Sequence, residues 1–152
     1  MRKFIIYIIT LLPIVILTCG RSSIEKMKEE CSARVEDIRI VRADLFSVLL
    51  EVDVLVVNPT PYSVTIKGID YDVYVEDELI DRHSAEEYIE LTKGGETPLK
   101  FPISISYHSI EDIAPDFAGK RTVKLKITGD VILQHSLTKF KVNFSFAGPV
   151  TI

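Results

Sequence analysis

From about Val35 onward the apolar residues recur with a period of two, and this alternation limits the fold more tightly than any other feature of the chain. Phe46, Val48, Leu50, Val52, Val54 and Val56 alternate with Ser47, Leu49, Glu51, Asp53, Leu55 and Val57. Successive side chains of an extended chain point to opposite sides, so one face here is wholly apolar and the other turns apolar near its end, as in a central strand. Phe140, Val142, Phe144 and Phe146 alternate with Lys139, Lys141, Asn143 and Ser145, giving a strand with one buried and one wet face. Val64 and Ile66 set one phase, whereas Ile69, Tyr71, Val73 and Val75 set the other. One extra residue at Lys67-Gly68 returns the apolar side to the core, which predicts a β-bulge there. Leu99, Phe101, Ile103 and Ile105 form a further segment, and Val123, Leu125 and Ile127 continue across Gly129 into Val131 and Leu133.

Turn chemistry separates these runs. Lys93-Gly94-Gly95-Glu96 is a tight connection, and Glu76-Asp77-Glu78 fits a short hairpin loop between Tyr74-Val75 and Leu79-Ile80. Helical spacing is confined to two short pieces. One runs from about Ser109 to Gly119, with Asp112 completing a capping-box-like start, Ile110, Ile113 and Phe117 on one face, and Pro115 bending it. About seven short strands with one short helix imply an all-β fold, a two-sheet antiparallel β-sandwich of the immunoglobulin or fibronectin III kind. The Cys and Trp signature of true immunoglobulin domains is absent.

The opening MRKFIIYIITLLPIVILTCG has a basic start at Arg2 and Lys3, then an apolar run from Phe4 to Leu17, then a small residue and a cysteine. That order is an export signal. The run is shorter than the roughly 20 apolar residues that span a bilayer, and Pro13 interrupts it, so a permanent transmembrane helix is the weaker alternative. Ile16-Leu17-Thr18-Cys19 resembles the lipobox of bacterial lipoproteins, which implies residues 1–18 as signal peptide and Cys19 as an acylated first residue. The alternative is an unmodified Cys19, free or bridged to Cys31. Residues 19–32 then form a tether, in which Ile24, Met27 and Cys31 stand at helical spacing as a short amphipathic lead-in with Cys31 packed as a small hydrophobe. Residues 33–152 are one folding unit with a single core.

The stretch Val57-Asn58-Pro59-Thr60-Pro61-Tyr62-Ser63-Val64-Thr65-Ile66-Lys67-Gly68-Ile69-Asp70-Tyr71-Asp72-Val73-Tyr74-Val75 orders a strand end, an Asn-Pro pair, a second Pro, a short strand and an alternating strand. It resembles the signature of the WHy domain, the water stress and hypersensitive response domain of the type 2 late embryogenesis abundant proteins. Leu91 to Ile103 is similar to that family's glycine turn and following strand, so the likeness covers about Ala33 to Gly148. The resemblance marks Asn58, Pro59, Pro61, Gly68, Asp70 and Tyr71 as motif residues. It implies a β-sandwich linked to desiccation and other stress tolerance, without catalysis or cofactor, and lipid chains held between sheets or in a groove in membrane-attached relatives. The residues themselves explain much of the motif. Pro59 and Pro61 cannot donate ladder hydrogen bonds and push Asn58 and Thr60 out of the helical region, while the Asn58 amide satisfies nearby backbone groups. Structural punctuation is therefore favoured over a recognition loop.

No other constellation carries chemistry. His83, His108 and His135 are scattered without a metal-ligand spacing, and no phosphate-binding or nucleophile-elbow motif occurs. Asp70, Asp72, Glu76, Asp77, Glu78, Asp81, Glu86, Glu87 and Glu90 are opposed nearby in sequence only by Arg82. Such oxygens suit a weak calcium site, but gatekeeping charges on a sheet edge are the simpler reading, so no metal is assigned. Of the tyrosines, Tyr71 belongs to the core phase and Tyr74 points the other way, as the better contact candidate. Formal charge is −4, and about −6 without Arg2 and Lys3. That surface repels phosphate backbones, which excludes nucleic acid as a partner. The expectation is a lipid-anchored, non-enzymatic stress-related binding domain in the cell envelope, facing the periplasm or cell exterior. Alternatives are a lipid-binding or transfer module, which needs an apolar groove, or an accessory subunit with an envelope protein partner, which needs an exposed apolar patch.

Overall fold

The computed structural model describes residues 22–108 and 122–151; Cys19 and the helix expected at Ser109 to Gly119 lie outside them. Helix α1 (Ser23–Glu30) is followed by seven strands: β1 (Ser32–Ala43), β2 (Ser47–Asn58), β3 (Val64–Val75), β4 (Glu78–Leu91), β5 (Gly95–Ser106), β6 (Thr122–His135) and β7 (Thr138–Thr151). They form two antiparallel sheets, ordered β1-β2-β5 and β4-β3-β6-β7. The chain changes sheet between β2 and β3 and returns between β4 and β5. This is the expected sandwich, with β2 in the centre of its sheet.

The core is built from the alternating residues. Val48, Leu50, Val52, Val54 and Val56 of β2 face Val64, Ile66, Ile69, Tyr71, Val73 and Val75 of β3 within one buried cluster, which the apolar phases of β5, β6 and β7 complete. The register slip at Ile66/Gly68 occurs in both pairings of β3, where the bulge was expected. Only glycine fits there, since a Cβ on Gly68 would stand 2.5 Å from the Ala85 carbonyl oxygen. Glu76 and Asp77 both adopt positive φ, as the two-residue hairpin between β3 and β4 demands.

Phe46 departs from the expected strand face: it is exposed, and β2 begins at Ser47. Asp44 is the reason. Its Oδ1 accepts hydrogen bonds from the Phe46 and Ser47 amides, both at 2.9 Å, closing an Asx turn that places Phe46 in the loop. Phe146 is only half-buried, at the rim of the core.

The described part of the lead-in is folded onto the sandwich. A capping box between Ser22 and Glu25 starts α1, and the helix ends where Cys31 turns extended. Met27 and Cys31 join the core cluster, with Ile24 packed at its edge. A tether that was expected to run to Ser32 is thus, from Ser22 onward, part of the body.

Candidate functional site

Three features of the surface bear on function: a loop cluster around Asn58, the outer face of the β4-β3-β6-β7 sheet, and a groove where the two sheets part.

Asn58 is the last residue of β2, in phase with the core, and is fully buried. Its Nδ2 donates to the carbonyl oxygens of Tyr62 (2.7 Å) and Thr92 (3.2 Å). Its Oδ1 accepts from Thr60 Oγ1 (2.6 Å), Thr60 N (3.2 Å) and Cys31 Sγ (3.6 Å). One side chain therefore ties the β2–β3 loop, the β4–β5 turn and the α1–β1 junction together. Gly94 N donates to the Thr60 carbonyl, and His135 Nδ1 lies 2.9 Å from the Ser63 carbonyl, which adds the β6–β7 turn to the cluster. Pro59 and Pro61 stand exposed around this knot and turn the chain from one sheet to the other. Burial, with a smaller push from Glu30, raises the Cys31 thiol to a pKa of about 11, so it stays protonated and donates. Both polar atoms of the Asn58 side chain are engaged within the fold; the burial of Thr60 and the link to Cys31, 27 residues upstream, were not foreseen.

On the outer face of the larger sheet, strand register brings Asp70, Asp72 and Asp130 together. Asp72 is gripped by Arg82 through two hydrogen bonds of 2.7 and 3.0 Å, and this holds its carboxyl below the usual range. Asp70 accepts from Ser84 Oγ at 2.7 Å and from Lys141 at 3.2 Å, and Ser84 is the larger cause of its lowered pKa. Lys141 also binds Asp130 at 3.1 Å, and Asn143 donates to the same carboxylate. The acidic stretch is thus not opposed by Arg82 alone. Lys124 pairs with Asp77 at 2.7 Å, so cations arrive from β6 and β7, beyond the reach of sequence neighbourhood. A cleft of about 600 Å³ is lined by Asp70, Asp72, Asp130 and Asn143 together with Ala33 and Arg34 of β1. Among the described residues no group of three or more His, Cys, Asp or Glu side chains is placed to hold a metal ion.

Tyr71 is in the core. Its ring stacks on Phe101 at 4.6 Å and its hydroxyl donates to the Pro102 carbonyl, so it bolts β3 of one sheet to β5 of the other. Phe144 extends this aromatic group over Gly129, where a Cβ would meet its ring at 2.5 Å. Tyr74 points outward, as expected, but its hydroxyl contacts Asp72 and Lys126 lies over its ring. His83 packs beside Tyr71 and His135 beside Tyr62, far apart.

The groove lies between the sheets where β1 and β7 form neighbouring edges. It has a volume of about 490 Å³ and is lined by Val35, Ile38, Ile40, Phe146 and Val150, with the acidic Glu36 and Asp37 also in its wall. Exposed apolar residues also mark both ends of the sandwich. Leu45 and Phe46 occupy the β1–β2 turn at one end, and Tyr62 and Leu137 stand in the loop cluster at the other.

These features define a two-sheet β-sandwich whose sheet-crossing loops are locked by a buried asparagine. Residues 53–148 match the model of the late embryogenesis abundant protein family LEA_2. The chain belongs to that family, as its Asn-Pro segment and bulged strand suggested. An uncharacterized protein of Methanocaldococcus jannaschii is 26% identical over 117 residues, covering 75% of this chain and 66% of that protein's length. A solution structure of an Arabidopsis thaliana protein shares the fold with a TM-score of 0.66 at 20% identity, covering 82% of each chain. A putative late embryogenesis abundant protein shares it with a TM-score of 0.58 at 18% identity, covering 86% of this chain and 75% of that one.

Proposed function

We propose that the chain is a membrane-anchored, non-catalytic domain that protects the cell envelope during water stress by binding rather than by turnover. The observation that carries this reading is the LEA_2 match across residues 53–148, joined to an N-terminal segment with the order of an export signal ending at Cys19. The aromatic, buried Tyr71 and the Asn58 knot serve the fold, and the carboxylates of the outer face are held by Arg82, Lys141 and Ser84. The experiment is survival of a deletion strain through drying and rewetting, against the parent and a strain complemented with the full-length gene. Loss of viability restored by the gene supports the stress role. Equal survival of all three strains refutes it.

The groove between β1 and β7 favours a second reading, a lipid-binding module. Its volume lies within the roughly 300–1,000 Å³ of small-molecule pockets, and half-buried Val35, Ile38, Phe146 and Val150 line it together with Glu36 and Asp37. Acyl chains that copurify with the native protein, and are lost when Ile38→Asp places a charge in the groove, would support it. A lipid content unchanged by Ile38→Asp would remove it.

A further inference from the structure

We infer that the end of the sandwich carrying α1 and the Asn58 loop cluster lies on the bilayer surface, with Leu137 and Tyr62 in the interfacial layer. This rests on the membrane-anchored reading above and adds which face of the domain meets the lipid.

Chain length limits how far the body can stand from Cys19. Because Met27 is fully buried and α1 is docked, the body begins at Ser22. Ser22 stands three positions after Cys19, and a fully extended chain spans about 11 Å over that distance. A protein held at Cys19 therefore has its folded body within about 11 Å of its anchor, too close for the domain to stand away from the membrane. Helix α1 is about 12 Å long, so the entry point lies within one such length of Cys31, which touches Asn58. The opposite end of the sandwich is farther off by the twelve residues of β2, about 40 Å.

The two ends of the sandwich also differ in composition. The turns gathered around Asn58 are Pro59-Thr60-Pro61-Tyr62-Ser63, Thr92-Lys93-Gly94 and Ser136-Leu137. These turns contain no carboxylate and their one charge is Lys93, while α1 at the same end adds Glu25, Glu29 and Glu30 against Lys26 and Lys28. Leu137 is 96% exposed at the tip of its hairpin, and the ring of neighbouring Tyr62 packs against His135 beside it. Tyrosine with its amphipathic ring, and lysine with its reach to headgroups, are the side chains that membrane interfaces favour. At the far end the described turns carry Asp44, Glu76 and Asp77, with no lysine or arginine among them. Leu45 and Phe46 are exposed there too, but they share their turn with Asp44, which the Phe46 and Ser47 amides hold ionised.

The chain contains no tryptophan, so a single introduced one reports its own surroundings. Full-length protein, exported and processed in its host, is reconstituted into vesicles of mixed zwitterionic and anionic phospholipid with brominated acyl chains. Leu137→Trp is compared with Leu45→Trp, which is 88% exposed at the other end. Both sites are solvent-exposed, so neither substitution touches the core. The inference expects blue-shifted emission and strong bromine quenching at position 137, with unshifted, weakly quenched emission at 45. Equal quenching at the two positions, or more at 45, overturns the orientation while leaving the anchor standing, provided the protein floats with the vesicles. A protein that does not float overturns the anchored reading and the orientation with it.

Discussion

Replacing Asn58 gives the sharpest account of what the loop cluster contributes. In Asn58→Ala the Tyr62 carbonyl keeps a hydrogen bond from Thr60 Oγ1 and the Thr92 carbonyl keeps one from Gly95 N, but the buried Thr60 amide loses its acceptor. A stranded buried donor costs roughly 1–3 kcal/mol, and the lost net bonds add about 1 kcal/mol, so the expected destabilisation is about 2–4 kcal/mol. Asn58→Asp keeps the shape but turns two donors into acceptors facing the Tyr62 and Thr92 carbonyls. An uncompensated buried charge costs about 3–5 kcal/mol, more than the alanine variant loses at neutral pH. The sign of its pH dependence follows. Burial raises the folded pKa of this aspartate above its unfolded value, so its protonated form is favoured in the fold. Relative to the parent, the variant's stability is then greatest below the unfolded pKa of about 3.9 and falls as pH rises through the folded value. Urea unfolding, at roughly 1–3 kcal/mol per molar denaturant, resolves these differences as midpoint shifts of about a molar or more. An alanine variant within about 0.5 kcal/mol of the parent, as a surface substitution would be, refutes the knot. So does an aspartate variant whose stability relative to the parent rises with pH.

Gly129→Ala should destabilise by about 1–3 kcal/mol in the same assay, because its Cβ would stand 2.5 Å from both the Asp70 carbonyl oxygen and the Phe144 ring. The Cys31 thiol, buried and raised to about 11, should resist a disulfide reagent at pH 8 in the folded protein and react promptly in urea. Asp70 and Asp72 have folded pKa values below the ordinary range, so their contribution is present above about pH 3.9 and is lost as pH falls through the folded values. An Asp70→Asn, Asp72→Asn double variant should therefore lose less stability than the parent between pH 5 and pH 2, measured by the urea midpoint.

How far the sequence reveals the fold depends on where each side chain points. β2, β3, β5, β6 and β7 bury one alternating face each, so their phase, and even the bulge at Gly68, is legible from hydropathy alone. β4 is an edge strand with most residues exposed, and its acidic side chains show as gatekeepers rather than as a phase. Phe46 was misplaced because a local Asx turn at Asp44 overrides an unbroken apolar pattern. The docking of α1 is legible only as the spacing of Ile24, Met27 and Cys31. That spacing announces an apolar face but not what it packs against. Asn58 was marked by its place before Pro59, whereas its bonds to Thr92 and Cys31 join residues 34 and 27 apart. The same holds for Lys141 with Asp70, separated by 71 positions, where only strand register creates the pair.

Intact mass spectrometry of the full-length protein purified from its own host reads the proposed anchor directly. A mature chain beginning at Cys19 and heavier by a thioether-linked diacylglyceryl group is the expected result. A chain that still begins at Met1, or one that begins near Cys19 with an unmodified thiol, contradicts it.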